Sequence, residues 1–110
     1  MLSYSPHYRY YVYGSACDMR GSFDALSGLV NTHMEGKLLS GDLFLFINKR
    51  RNQLKILQWC QDGFAIYHKR LQKGTFELPS KPVIEAYELQ LLLQGIIVEK
   101  VRKKRRFSLK

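Results

Sequence analysis

Three apolar runs between residues 42 and 79, parted by turn-forming residues, constrain the possible folds more than any other feature of this chain. The first, Asp42-Leu43-Phe44-Leu45-Phe46-Ile47-Asn48, is apolar almost throughout, and at that length it reads as a strand covered on both faces. The second, Gln53-Leu54-Lys55-Ile56-Leu57-Gln58-Trp59-Cys60, places Leu54, Ile56 and Cys60 on one face and Lys55, Leu57 and Trp59 on the other. Gln61-Asp62-Gly63 then offers an Asp-Gly pair tolerant of positive φ, and Phe64-Ala65-Ile66-Tyr67-His68-Lys69 alternates on the way back. The pattern predicts an antiparallel meander.

Basic residues are interleaved with these runs. Lys49, Arg50 and Arg51 fill the first turn, and Lys55, Lys69, Arg70 and Lys73 lie on or just beyond the strands. Neighbouring strands are about 4.8 Å apart, so cations from several of them can share one surface and attract phosphates. The same residues can instead serve only to keep turns and strand edges soluble, and the pattern leaves both readings open.

The 110 residues are enough for one core, with 45% hydrophobic and 13% aromatic residues arguing against a disordered chain. The expected organisation is one domain over residues 1–98 and a basic tail over 99–110. No run of eighteen apolar residues occurs, and Met1-Leu2-Ser3-Tyr4-Ser5-Pro6 lacks the blocks of a signal peptide, so the expected setting is the cytoplasm, without a membrane partner. Cys17 and Cys60 have no metal-site spacing and read as small buried hydrophobes. The formal charge of +9 makes nucleic acid the first partner to consider and an acidic protein the second.

Along the chain, Tyr8-Arg9-Tyr10-Tyr11-Val12-Tyr13 reads as a strand ending at Gly14, its rings packing on the sheet or, alternatively, stacking on unpaired bases. Phe23, Leu26, Leu29, Val30 and Met34 recur at three- and four-residue spacing, which predicts an amphipathic helix over residues 22–34 capped by Asp18 or Ser22, with Gly36 as a left-handed stop. Gly74-Thr75-Phe76-Glu77-Leu78 reads as a short edge strand closed by Pro79. Ser80-Lys81-Pro82 has a linker's composition, and a short helix is expected over residues 84–94, ending at Gly95 and docking its leucines on the sheet. The tail holds seven of the eighteen basic residues, with Arg102, Lys103, Lys104, Arg105 and Arg106 densest, and reads as an arm for polyphosphate contact.

Signs of catalysis are few. His7, His33 and His68 are far apart, there is no Cys-x-x-Cys, His-x-x-x-His or glycine-rich phosphate loop, and the nine acids are scattered singly. No catalytic residue, metal site or cofactor is expected. His68 followed by Lys69-Arg70 is the one candidate acid–base group, of the kind a small metal-free ribonuclease would use.

Four ordered phrases carry a family likeness: Asp18-Met19-Arg20-Gly21-Ser22-Phe23-Asp24-Ala25-Leu26, Ser40-Gly41-Asp42-Leu43-Phe44-Leu45-Phe46, Leu54-Lys55-Ile56-Leu57-Gln58-Trp59, and Lys69-Arg70-Leu71-Gln72-Lys73-Gly74-Thr75-Phe76-Glu77-Leu78-Pro79. Together with Leu91-Leu92-Leu93-Gln94-Gly95-Ile96, they resemble the TnpB-type second-reading-frame accessory proteins of bacterial insertion sequences of family sixty-six, which are distinct from the RNA-guided nuclease of the same name. The likeness implies a role in transposition beside a separate, larger transposase that cuts and joins DNA. The matching positions then read as a helix-start device (Asp18, Arg20, Phe23), a core anchor (Trp59) and a phosphate or acidic-partner contact (Lys69-Arg70). The tyrosine cluster and the tail match the shared pattern less closely.

The expected fold is α+β, an antiparallel sheet of four to five strands around a central meander, with one helix before it and one short helix after. The expected function is that of a non-enzymatic accessory protein of transposition that binds DNA through its basic face and tail and helps assemble the transposase complex. An adaptor whose basic surface meets an acidic partner such as the transposase is the alternative, and the ribonuclease is a third.

Overall fold

The computed structural model describes residues 8–94. The elements in order are β1 (Tyr10–Val12), α1 (Phe23–His33), β2 (Leu43–Ile47), β3 (Gln53–Trp59), β4 (Phe64–Arg70), β5 (Val83–Ile84) and α2 (Ala86–Leu93). They build one α+β layer sandwich around a five-stranded sheet of order β4-β3-β2-β1-β5. The meander is present, with β2 antiparallel to β3 and β3 antiparallel to β4.

Side-chain alternation sorts the core into two halves. Leu43, Leu45, Ile47, Leu54 and Ile56 point to the face covered by α2, where Tyr10, Val12, Ile84, Leu89, Leu92 and Leu93 join them. Phe44, Phe46 and Leu57 point to the other, where Leu26 and Val30 of α1 close over them with Tyr11 and Cys17. Because β2 is central and covered on both sides, all five of its residues are buried, which is why its sequence is continuously apolar. The neighbouring rings of β1 pack likewise: Tyr11 stacks on Phe44 at 5.5 Å and Tyr13 lies against Phe46 at 5.6 Å.

The sheet is mixed, since β1 runs parallel to β2. Helix α1 is the crossover between them, long enough to return the chain to the end where β1 began. No strand forms at residues 74–78. There Phe76 turns inward and is fully buried in the α2-side core, and its amide donates to the Arg51 carbonyl, so the chain crosses the sheet end instead of extending its edge. The fifth strand is instead Val83–Ile84, antiparallel to β1, within the stretch read as linker and helix start. Helix α2 opens on a capping box between Glu85 and Glu88. Gly95 lies outside the described residues.

Several local expectations are corrected. The left-handed residue of the β3–β4 turn is Gln61, with φ 61°, and not the Asp-Gly pair. Gly36 is not left-handed; a Cβ there would fall 2.6 Å from both Phe44 Cε1 and Tyr11 Cε2, so its small size lets the chain cross two rings. Cys60 is exposed and only Cys17 is buried. Trp59 is half-buried at the sheet's end, edge-on to Phe64 at 5.0 Å, and is no core anchor. Phe23, first in the helical stripe, is 44% exposed, and the buried residues of α1 are Leu26 and Val30.

Candidate nucleic-acid interface

The β2–β3 turn is a rigid mount for three cations. Asn48 organises it: its side-chain amide donates to Asn52 Oδ1 at 2.8 Å, its Oδ1 accepts the Gln53 amide at 3.0 Å, and its carbonyl accepts the Arg51 amide at 3.0 Å. Closing the turn sends Arg51 into the left-handed region at φ 60°, a conformation costing a non-glycine residue about 1 kcal/mol or more. Lys49, Arg50 and Arg51 all remain exposed.

Strand register brings further cations to the same end. Arg70 lies opposite Gln53, the first residue of β3, and the chain then folds back over the turn through the Leu71 amide to the Asn52 carbonyl and the Phe76 amide to the Arg51 carbonyl. Lys73, in between, is exposed. Lys49, Arg50, Arg51, Arg70 and Lys73 therefore share one end of the sheet, across two strand spacings or about 10 Å. Two carboxylates belong here as well. Glu77 is 3.9 Å from Arg51 with both side chains about half exposed, a pairing of small energetic weight. Asp18 is taken up by Arg20.

Two of the expected contacts are otherwise engaged. Lys55, 8% exposed on the α1 side, donates from Nζ to the Met19 carbonyl at 2.8 Å and the Gly21 carbonyl at 2.7 Å. Lys69 points to the α2 side and donates to the Leu93 carbonyl at 2.7 Å, where a cation meets the negative end of α2. Both lysines are inside strands, Lys55 in the covered β3 and Lys69 in the edge strand β4, and each has found backbone acceptors. Arg102, Lys103, Lys104, Arg105 and Arg106 lie outside the described residues.

Arg20 is a cation at this end that sequence reading assigned only to the helix start. Lys55 pins the loop before α1 to the sheet, and Arg20 projects from it, 91% exposed in its side chain. Asp18 holds it through contacts of 2.6 to 3.1 Å, and Asp18 Oδ1 also accepts the Arg20 amide at 2.9 Å. These bonds hold the Asp18 carboxyl down at about 2. The signal was legible as an aspartate two residues before an arginine, the spacing of an Asx turn. Ser22 is the N-cap residue of α1, without a side-chain cap bond.

His68 sits on the same side as Lys55, its Nε2 2.9 Å from Gln53 Oε1. Burial, then Lys55 and Arg70, push its pKa below the usual histidine value. Gln53 Oε1 is an amide oxygen that can only accept from the ring and titrates no proton, so the pair lacks the acid–base partner that a two-group mechanism would use. Among the described residues no group of three His, Cys, Asp or Glu side chains could hold a metal ion, and no helix is long and apolar enough to cross a membrane.

The opposite end of the sheet carries mixed charge. Asp42 opens β2 and accepts the Arg9 amide at 3.0 Å, and Asp62 lies in the β3–β4 turn. The described fold is thus electrically lopsided along its strand axis.

Comparison with known proteins finds relatives by sequence. Two proteins of Sinorhizobium fredii (strain NBRC 101917 / NGR234) are similar: Uncharacterized protein y4hO is 30% identical over 100 residues, covering 87% of each chain. Uncharacterized protein y4jC is 29% identical over 93 residues, covering 79% of this chain and 78% of its own. No solved structure matches significantly. The family described as IS66 Orf2 like protein (TnpB_IS66) matches residues 8–103, nearly the whole chain, and this protein belongs to that family of insertion-sequence transposition proteins.

Proposed function

We propose that this protein is a non-enzymatic accessory factor of transposition that binds duplex DNA through the cationic end of its sheet. The observation that carries the reading is the gathering of Lys49, Arg50, Arg51, Arg70 and Lys73 at one end of the strands, on turns tied together by backbone hydrogen bonds. Such a rigid cluster neutralises phosphates without first having to be ordered. Among the described residues no base-reading helix accompanies it, which favours a contact with the backbone that is insensitive to sequence. The last described residue, Gln94, is one past the Leu93 carbonyl that accepts from Lys69, at the same end of the sheet, and residues 99–110 follow it in sequence outside the described residues.

Five phosphate contacts would make the logarithm of affinity fall with the logarithm of salt at a slope of about −4 to −5, with the tail steepening it further. The test is a mobility shift of an element-end duplex at graded salt, with wild type beside an Arg50→Ala, Arg70→Ala double variant. The double variant is expected to lose close to two units of slope. Absence of salt-sensitive binding at micromolar protein, together with capture of the transposase that survives nuclease treatment, would replace DNA with an acidic protein partner.

A further inference from the structure

Strand β4 is an edge of the sheet, seven residues long, whereas the other edge, β5, has two. Its hydrogen-bonding parity is set at both ends: the Cys60 amide donates to the Gly63 carbonyl at 2.7 Å and the Leu71 amide to the Asn52 carbonyl at 2.8 Å. With the register of β3 on β4, the odd-numbered residues Ala65, Tyr67 and Lys69 turn their backbone groups toward β3. Phe64, Ile66, His68 and Arg70 turn theirs outward. Among the described residues no other element bonds that outer row. Long edges of this kind are ordinarily guarded by charge along their length. Here the charge is all in one half, His68-Lys69-Arg70, and Phe64-Ala65-Ile66-Tyr67 is unguarded.

We propose that this edge is a dimerisation surface whose partner is β4 of a second copy, antiparallel, with the two sheets joined into one of ten strands. The seven residues choose the register. Centring the two-fold axis on Tyr67 pairs Ile66 with His68 and Phe64 with Arg70 of the other copy, all of them with outward backbone groups, so the ladder bonds form over the full strand. On the α1 side the apolar half of each strand then meets the basic half of the other, and Phe64 receives a guanidinium on its ring. On the α2 side Tyr67 meets its own symmetry mate and Lys69 meets Ala65. No cation opposes a cation, whereas a parallel pairing in register would set Lys69 beside Lys69 and Arg70 beside Arg70. The charge asymmetry within the strand is thus self-complementary under a two-fold axis, as an isologous interface requires. If the cationic end binds DNA as proposed above, the antiparallel arrangement points two such ends away from each other, toward two separate DNA segments.

Sedimentation velocity of the full chain without DNA, over a micromolar concentration series, tests the pairing independently of any DNA reading. The wild type is expected to convert from monomer to dimer as concentration rises. His68→Pro removes an outward donor that no described residue accepts from, and is expected to remain monomeric with an unchanged far-ultraviolet spectrum. Ala65 is exposed, and Ala65→Lys sets a lysine against Lys69 of the other copy twice per dimer, raising the dissociation constant about two- to tenfold, while Ala65→Glu lowers it by a similar factor. If His68→Pro fails to fold, the opposite shifts of the two Ala65 variants still decide. A wild type monomeric throughout the series, as when the chain beyond Gln94 covers the edge itself, overturns the proposal. So does a dimer that neither Ala65 variant shifts.

Discussion

Replacing Lys55 with methionine separates cations that hold the fold from cations available to a ligand. The ammonium is buried against the Met19 and Gly21 carbonyls at 2.8 and 2.7 Å, and both acceptors belong to the loop that delivers the chain to α1. Loss of the donor strands two carbonyls in a site only 8% exposed, at about 1–3 kcal/mol each. The thioether returns some apolar burial and spares the desolvation of a cation, so the net cost is about 2–4 kcal/mol. At about 4 °C per kcal/mol for a domain of this size, Lys55→Met should melt roughly 8–16 °C lower than wild type by differential scanning calorimetry. Its slope of log affinity against log salt for duplex DNA, measured well below the melting temperature, should match wild type. An unchanged melting temperature combined with a slope shallower by about one unit would show Lys55 to be a phosphate ligand, and would refute the structural assignment.

Arg51→Gly removes a charge from the cationic end and relieves the left-handed residue at φ 60°, so thermal melting should hold steady or rise by the equivalent of about 0.5–1 kcal/mol while the salt slope falls by nearly one unit. Gly36→Ala drives a methyl group into the Tyr11 and Phe44 rings 2.6 Å away and should cost about 1–3 kcal/mol in urea unfolding. His68 has a folded pKa below that of the unfolded chain, so the unfolded state takes up the proton first as the medium is acidified. Stability should be insensitive to this group above about pH 7 and fall as the pH drops below the unfolded value of 6.5, and His68→Gln should remove that part of the decline in the melting temperature.

The meander was legible because alternation and turn chemistry agree there: β2, β3 and β4 fall within one residue of the apolar runs, and β2 is buried on both sides as its composition requires. The mixed pairing was not legible, because β1 and β2 are joined through a helix and no residue in β1 records the direction of its neighbour. Gly74-Thr75-Phe76-Glu77-Leu78 alternates as a strand does, yet its one large apolar residue, Phe76, is better buried under the α2 side than on an edge. Local pattern cannot distinguish these, because both bury the same side chain. The charged site divided along a similar line. Lys49, Arg50 and Arg51 were readable as solvent-facing because turn residues have nowhere else to point. The engagement of Lys55 and Lys69 is not legible in the sequence because their acceptors, carbonyls at Met19, Gly21 and Leu93, are 36, 34 and 24 residues away in the chain.

That division has a consequence for how DNA would approach. Among the described residues, the centre of the sheet, β2 and β3, is covered by α1 on one face and by α2 on the other and has no open face to offer a nucleic acid, unlike sheets that stack bases on exposed strand aromatics. Tyr10 and Tyr11 of β1 are accordingly buried. Among the described residues, the lysines within the strands are drawn to backbone acceptors, while Arg70, the last residue of β4, and the turn cations are left at or past the strand ends, so the electropositive surface is an end of the sheet and not a face. A duplex approaching it would lie across the strand axis and leave β4 uncovered along most of its length. On this geometry DNA binding and edge pairing are compatible, but Arg70 of each copy then lies on Phe64 of the other, so the dimer should bind DNA with a salt slope per protomer up to about one unit shallower than that of a monomeric His68→Pro variant.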